Sequence, residues 1–381
     1  MMLFWISVIL LVSGIVAFAV NVTTAADPTT LWAMMTVNML FFVGITQAGV
    51  VFSVIMRISK SGWGRYYSRL GEILTLAFIP VAVVMFAAVL IGGIDHLFYW
   101  LNPKLVHGQG ELHLSPWLDK GFLVWRNILA NAVFYLFSYI YFRMGRAEEK
   151  AGHNVSEALK TGLNFVGGLV CFFYVVANTF LAWDFGMTII QHWESSIFAP
   201  LFWVGNLLAG IAYLYLMALI FIPRAPGEKL DSGLLSSMAQ VIFGFILLWV
   251  YMFWSQYIVM WYGNLPYRAG PVFKQMMGPY GPVFKLLLLT LFIIPFLALL
   301  FRRVKRSATA LAVLGVLICV GMWINRYLMI VPVYSDIPLL ADGTGIILSL
   351  AALSATVLSF IVFRRVFPGV TLTTGVRRSG H

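Results

Sequence analysis

Ten apolar runs, each about 20 residues long, constrain this chain more than any other feature. They lie at 2–20, 31–56, 72–98, 122–142, 162–183, 197–222, 234–258, 283–301, 308–328 and 345–363. About 20 apolar residues in a helix cross the ~30 Å hydrocarbon core of a bilayer. The composition agrees: 61% of the 381 residues are apolar and only 10% charged, where a soluble domain carries about a quarter. The chain therefore reads as an all-α polytopic membrane protein, and soluble enzymes, nucleic-acid-binding domains and disulfide-stapled secreted modules are excluded. No Lys or Arg precedes the first run. It reads as a retained helix and not a cleaved signal peptide, although Thr24-Ala25-Ala26 is a weak cleavage-like string.

The net charge of +11 comes from 25 Lys and Arg against 14 Asp and Glu. Arg57, Lys60, Arg65 and Arg69 follow the second run, and Arg143, Arg146, Lys150 and Lys160 follow the fourth. Arg224 and Lys229 follow the sixth, and Arg302, Arg303, Lys305 and Arg306 the eighth. The tail, residues 364–381, adds Arg364, Arg365, Arg377 and Arg378, which brings eighteen of the 25 cations to one face. The other seven are Lys104, Lys120, Arg126, Arg268, Lys274, Lys285 and Arg326. This asymmetry predicts that both termini and every even-numbered loop face the cytoplasm. The opposite face carries two longer connections, 99–121 and 261–281, rich in Pro, Gly and aromatic residues. They read as a docking surface or as interfacial aromatic anchors.

Several chemistries are missing. The two cysteines, Cys171 and Cys319, stand alone in separate runs, so the chain has no thiolate set for an iron–sulfur cluster and no c-type haem attachment. No P-loop and no helix-opening G-x-G-x-x-G is present. Of the six histidines, His96, His107, His113, His153, His192 and His381, only His96 and His192 stand at comparable membrane depth. They read as bis-His haem ligands of a b-type cytochrome or as polar helix-end residues.

Ionisable residues in membrane runs are functional candidates because they are costly there. Near the outer ends stand Asp95, His96, Arg126, Asp184, His192, Glu194, Ser255, Gln256, Asn325 and Arg326, while Glu72 lies near the cytoplasmic side. Amides occupy intermediate depths: Asn38, Gln47, Asn127, Asn131, Asn164, Asn178 and Asn206. Asn127 and Asn131 share a helix face, and interhelical packing alone explains such amides. The charged set, converging on one depth, predicts an outer-face site or a salt-bridge cluster that holds no ligand.

Three segments carry a resemblance: AWDFGMTIIQHWESSIF at 182–198, FWSQYIVMWYGNLP at 253–266 and WINRYLMIVP at 323–332. Together they resemble the NrfD-like, polysulphide-reductase type membrane subunits, and look most like the ten-helix ActF-type subunit of alternative complex III. Two positions depart from the pattern. Tyr267-Arg268 stands where the family usually has an acidic pair, and Arg326 where an acidic or neutral residue is usual.

The resemblance implies two four-helix bundles, residues 30–183 and 197–328, flanked by helices at 1–20 and 345–363 in one membrane domain. It implies no covalently held cofactor, a quinol or menaquinol near the outer face, and iron–sulfur and haem groups in partner subunits. Those partners would be a molybdopterin-oxidoreductase-like iron–sulfur subunit on the outer face, a sister NrfD-like subunit and a multihaem cytochrome. The setting would be a respiratory or photosynthetic complex in a bacterial inner membrane. On that reading His192 and Asp184 accept protons, with Asp95 and His96 as a second pair. Gln256 and Tyr262 donate to the ring oxygens, Asn325 and Arg326 belong to the same outer-end set, Arg126 keeps the carboxylates ionised, and Glu72 serves proton transfer at the inner side. The alternative class is a secondary transporter, for which helices broken at Pro80 and Pro295 are the supporting feature.

Overall fold

A computed structural model describes residues 2–102, 115–191, 193–223, 230–263, 266–338 and 343–372; of His153 and residues 266–268 it describes the backbone only. Among the described residues ten helices are long and apolar enough to cross a membrane. They are Met2–Thr24, Thr29–Ile58, Arg65–Leu97, Lys120–Ala151, Glu157–Met187, Phe198–Phe221, Ser232–Gly263, Gly278–Leu300, Ala308–Tyr334 and Gly343–Val366, spans one to ten below. Each coincides with an apolar run in the sequence, and all but span six extend it, by up to about three turns. As the spans alternate in direction, the described residues after even-numbered spans, among them Lys60, Arg302 and Arg303, lie at one end of the molecule, the cation-rich end. The described residues after odd-numbered spans lie at the far end.

The termini of the helices are set by ordinary local chemistry. Asp119, Ser156 and Ser307 each cap a helix start by accepting a hydrogen bond from the backbone N–H three residues on, which satisfies one otherwise orphaned donor. Span four ends at Gly152, whose φ of 57° suits a residue without Cβ.

Spans two to five pack on one another, as do spans six to nine, and spans two and six form the seam between the two groups. Span nine also crosses to span two, and span one lies along span ten at the side. Burial follows this order. The apolar stretch of span two is 94% buried inside the protein, whereas that of span one is 11% buried. Span one is apolar all round because it faces lipid, with Trp5, Ile9 and Val16 outward.

Small residues let spans two and three close on each other. A Cβ on Gly49 of span two would stand 2.5 Å from the carbonyl oxygen of Gly71 on span three, and one on Gly71 would meet Gly49 in turn. Beside this crossing the Thr75 hydroxyl donates to the Thr46 carbonyl at 2.6 Å and accepts from the Val50 N–H at 3.0 Å. Close backbone approach of this kind drives helix association where lipid supplies no hydrophobic force. Gly71→Val is therefore expected to lower stability by about 1–3 kcal/mol through overpacking. Gly168→Ala, at a position with open space around it, should leave stability equal or slightly higher. Equal thermal unfolding of the two variants would show that the crossing is loose.

Three spans contain a wide π turn: Ala88–Gly93 in span three, Trp183–Met187 in span five and Leu289–Ile293 in span eight. Such turns absorb an extra residue and re-aim the side chains that follow. The one in span eight immediately precedes Pro295, which lacks the N–H a regular turn would need. Pro80 sits at the start of a helical stretch, just after an irregularity at Phe78. Both prolines are thus accommodated inside continuous spans.

Candidate functional site

Asp184 lies in the π turn of span five and is fully buried. Arg126 of span four meets it with a two-pronged hydrogen bond, Nε to Oδ2 at 2.8 Å and Nη2 to Oδ1 at 2.5 Å. The Asn127 amide donates to Oδ2 at 2.5 Å and the Trp117 indole N–H to Oδ1 at 3.1 Å. Four donors thus occupy the four principal acceptor positions of this carboxylate. Arg126 also donates to the Trp117 carbonyl at 2.7 Å, and its guanidinium stacks 4.0 Å from the Trp117 ring centroid. The result is a closed clamp that ties the connection before span four to the far ends of spans four and five.

A hydrogen-bonded chain leads from this clamp through the seam to the second group of spans. Arg326 of span nine donates to Asn206 Oδ1 at 2.9 Å, and Asn206 donates to Asn178 Oδ1 at 2.8 Å. Asn178 donates to Gln47 Oε1 at 2.9 Å, and Gln47 to Asn131 Oδ1 at 2.8 Å. Asn131 donates to the Asn127 carbonyl at 2.9 Å, and the Asn127 amide to Asp184. Every link points the same way. The direction is forced at both ends, since a guanidinium can only donate and a carboxylate can only accept. Glycines make room for it: a Cβ at Gly44 would run into the Asn206 amide, and one at Gly205 would stand 3.3 Å from Arg326 Nη2.

Arg326 is 2% exposed. Its other hydrogen bonds go to the Phe202 carbonyl at 2.8 Å and to Asn325 Oδ1 at 3.1 Å, and its guanidinium lies 3.8 Å from the Phe202 ring centroid. It borders a cavity of about 50 Å³ whose wall also includes Trp193, Gln256, Tyr257, Gln275 and Asn325. A larger cavity of about 220 Å³ lies next to it, between Tyr99, residues 189–191, Lys274, Gln275 and residues 332–334. Gln275 forms part of both walls. Burial pushes the Tyr99 phenol above its ordinary pKa, which keeps it a proton-bearing donor. At the rim Lys274 pairs with the exposed Asp336 at 2.8 Å, and that ammonium holds the Asp336 carboxyl below the usual carboxylate range.

The sequence-predicted residues divide between these places. Arg126 and Asp184 meet in the clamp, while Gln256, Asn325 and Arg326 meet on the smaller cavity. Asp95 joins neither set; it is exposed and pairs with Lys120 at 2.6 Å. His96 stacks on Trp32 with ring centroids 6.5 Å apart. Asp95 and Asp184 thus belong to two separate ion pairs, each with a different cation of span four, Lys120 and Arg126. Tyr262 is 86% exposed at the end of span seven and borders neither cavity. His192 lies outside the described residues. Glu72 is buried at the cation-rich end, accepting from Ser53 at 2.6 Å and from Arg69 at 2.5 Å. Asn38 accepts from the Trp323 indole N–H at 3.1 Å, and Asn164 from Arg57 Nε at 3.2 Å.

Sequence reasoning missed Trp117, Gln275 and the Lys274–Asp336 pair. All three sit in connections where polar and aromatic residues are ordinary, so residue type alone gave no signal.

Ten membrane-length helices, with two adjoining cavities at the far end, make this an all-α polytopic membrane protein. The profile of the family described as polysulphide reductase, NrfD, matches residues 21–338, and the chain belongs to that family. The match takes in spans two to nine and leaves out span ten and nearly all of span one. None of the curated proteins matches the chain.

Proposed function

We propose that this chain is the quinone-facing membrane subunit of a multi-subunit oxidoreductase complex, with the ring of a quinol seated in the larger cavity. One observation carries the reading: the three segments that resemble NrfD-like subunits come together on the two cavities. Residues 189–191 and 332 border the larger one. Trp193, Phe198, Phe253, Gln256, Tyr257, Asn325, Arg326 and Met329 border the smaller one. Largely apolar walls with a few convergent polar groups are the usual form of a small-molecule site.

In this reading the Tyr99 hydroxyl and the Gln275 amide orient the ring oxygens, and the Lys274–Asp336 pair at the rim leads released protons to water. Oxidation of one quinol gives quinone, two protons and two electrons. With no thiolate cluster site in this chain, the electrons pass to an iron–sulfur group held by a partner. That partner docks on the far face, over the connections 99–121 and 261–281, and a sister membrane subunit and a multihaem cytochrome complete the assembly. The cation asymmetry supports a cytoplasmic location for both termini in a bacterial inner membrane. Asp184 serves this site as a positioning residue, since its acceptor positions are already occupied.

The test is quinol-dependent electron transfer in the intact complex. Gln275→Leu and Tyr99→Phe are each expected to lower turnover about tenfold, the loss that goes with one orienting hydrogen bond of about 1.4 kcal/mol. Assembly should be unchanged. Parent-like turnover in both variants would remove the ring from this cavity, and purification of the chain without any iron–sulfur partner would favour the transporter class.

A further inference from the structure

We propose that the smaller cavity is an anion site, in which Arg326 holds a small monovalent anion such as a halide or a carboxylate-sized oxyanion. Arg326 is buried, and its hydrogen-bond acceptors are all uncharged: Asn206, Asn325 and the Phe202 carbonyl. Among the described residues no carboxylate borders the cavity, whether from span six, seven or nine, the segment before span six, or the helix Pro266–Met276. A guanidinium cannot shed its charge by losing a proton, as a buried lysine can. Its Nε–H has no hydrogen-bond partner among the described residues.

The hydrogen-bonded chain sharpens the point. It connects Arg326 to Asp184, the carboxylate that could have balanced it, yet Asp184 is already neutralised by Arg126. The connected network therefore holds two guanidinium groups and one carboxylate, a surplus of one positive charge in a membrane interior. Lys274, the next cation, is spoken for by Asp336. A buried charge persists when it is paired, and the space for a counter-ion lies against this guanidinium: the cavity of about 50 Å³ exceeds the room one water needs. Gln256, Gln275 and Asn325 add neutral amides to the wall, which can donate to an anion without competing for the cation. This inference concerns the smaller cavity and does not depend on a quinol in the larger one.

The experiment uses the full chain, in its complex, in nanodiscs at constant ionic strength with gluconate as the bulky reference anion. Chloride, nitrate and formate are titrated in turn while thermal unfolding is followed. The parent is expected to show a saturable rise of roughly 3–8 °C at hundredfold excess over the dissociation constant. Arg326→Gln, which keeps a donor but removes the charge, should lose that dependence. A Lys274→Gln control should retain it. An equal anion response in Arg326→Gln, or none in the parent, overturns the proposal. Should Arg326→Gln not accumulate, bromide-soaked parent decides: anomalous density within hydrogen-bond reach of the guanidinium supports the site, and an empty cavity overturns it.

Discussion

Arg126→Leu is expected to destabilise the protein by about 3–5 kcal/mol, enough to remove most of the folded chain from the membrane. The substitution leaves the Asp184 carboxylate charged and buried, with only the Asn127 amide and the Trp117 indole to hold it. It also removes the cation stacked on Trp117 and the hydrogen bond to the Trp117 carbonyl, so the connection before span four loses its anchor. Asp184→Leu should cost a similar amount, because it strands the guanidinium instead. The double variant Arg126→Leu/Asp184→Leu is the informative one. Replacing a whole buried ion pair by apolar side chains is often close to neutral, so the pair of changes should recover much of what either loses alone. Recovery stays incomplete because Asn127 and Trp117 lose their acceptor. Accumulation and thermal unfolding of all four proteins give the coupling energy directly. Strict additivity would mean that the clamp is not a unit, and single variants within about 0.5 kcal/mol of the parent would mean that it carries no stability.

The positions of the spans were legible because a bilayer leaves a helix few choices: it must be long, apolar and closed on its own hydrogen bonds. That constraint acts residue by residue along one run, which is why all ten runs became helices. Individual members of the site were legible for the same reason, since Arg126, Asp184, Arg326 and Glu72 stand out against apolar neighbours. Their pairing was not. Nothing in the order of residues says that Arg126 takes Asp184 while Lys120 takes Asp95; the π turn at Trp183–Met187 presents Asp184 to span four, and the sequence there offers no proline and only Gly186, which does not tell a π turn from a regular one. The amide chain was hidden in a different way. Each of its members has an adequate packing explanation alone, and the common direction of the bonds exists only once five spans are assembled. Gln275 was invisible because an amide in a polar connection is unremarkable until two cavities meet on it.

At the cation-rich end one guanidinium meets two carboxylates, the converse of Arg326, which meets none, and the expected order of effects reverses with it. Arg69, 2% exposed, bonds Glu72 at 2.5 Å and Glu149 at 2.6 Å, and its guanidinium lies 5.1 Å from the Phe142 ring centroid. Ser53 donates to the remaining Glu72 oxygen. One cation here serves two carboxylates, while the neighbouring Arg57 is matched by Glu148 at 2.7 Å. Removing the cation leaves two anions facing each other, one of them buried. Arg69→Met is therefore expected to cost about 3–5 kcal/mol. Glu72→Gln relieves Arg69 of one of its two carboxylates and keeps an oxygen that accepts from Arg69, while the amide N–H can donate to the Ser53 hydroxyl, so its cost should stay below about 1 kcal/mol. Thermal unfolding of the two variants tests the order, and a Glu72→Gln variant as unstable as Arg69→Met would show that the carboxylate charge is what holds this end together. Because Glu72→Gln is expected to assemble, it is also the variant in which proton transfer can be read in sealed vesicles without loss of the fold. Uptake lost there, with electron transfer intact, is the outcome expected of a carboxyl group that exchanges protons at the cation-rich end; unchanged uptake would leave Glu72 as the partner that fixes Arg69 between spans two, three and four.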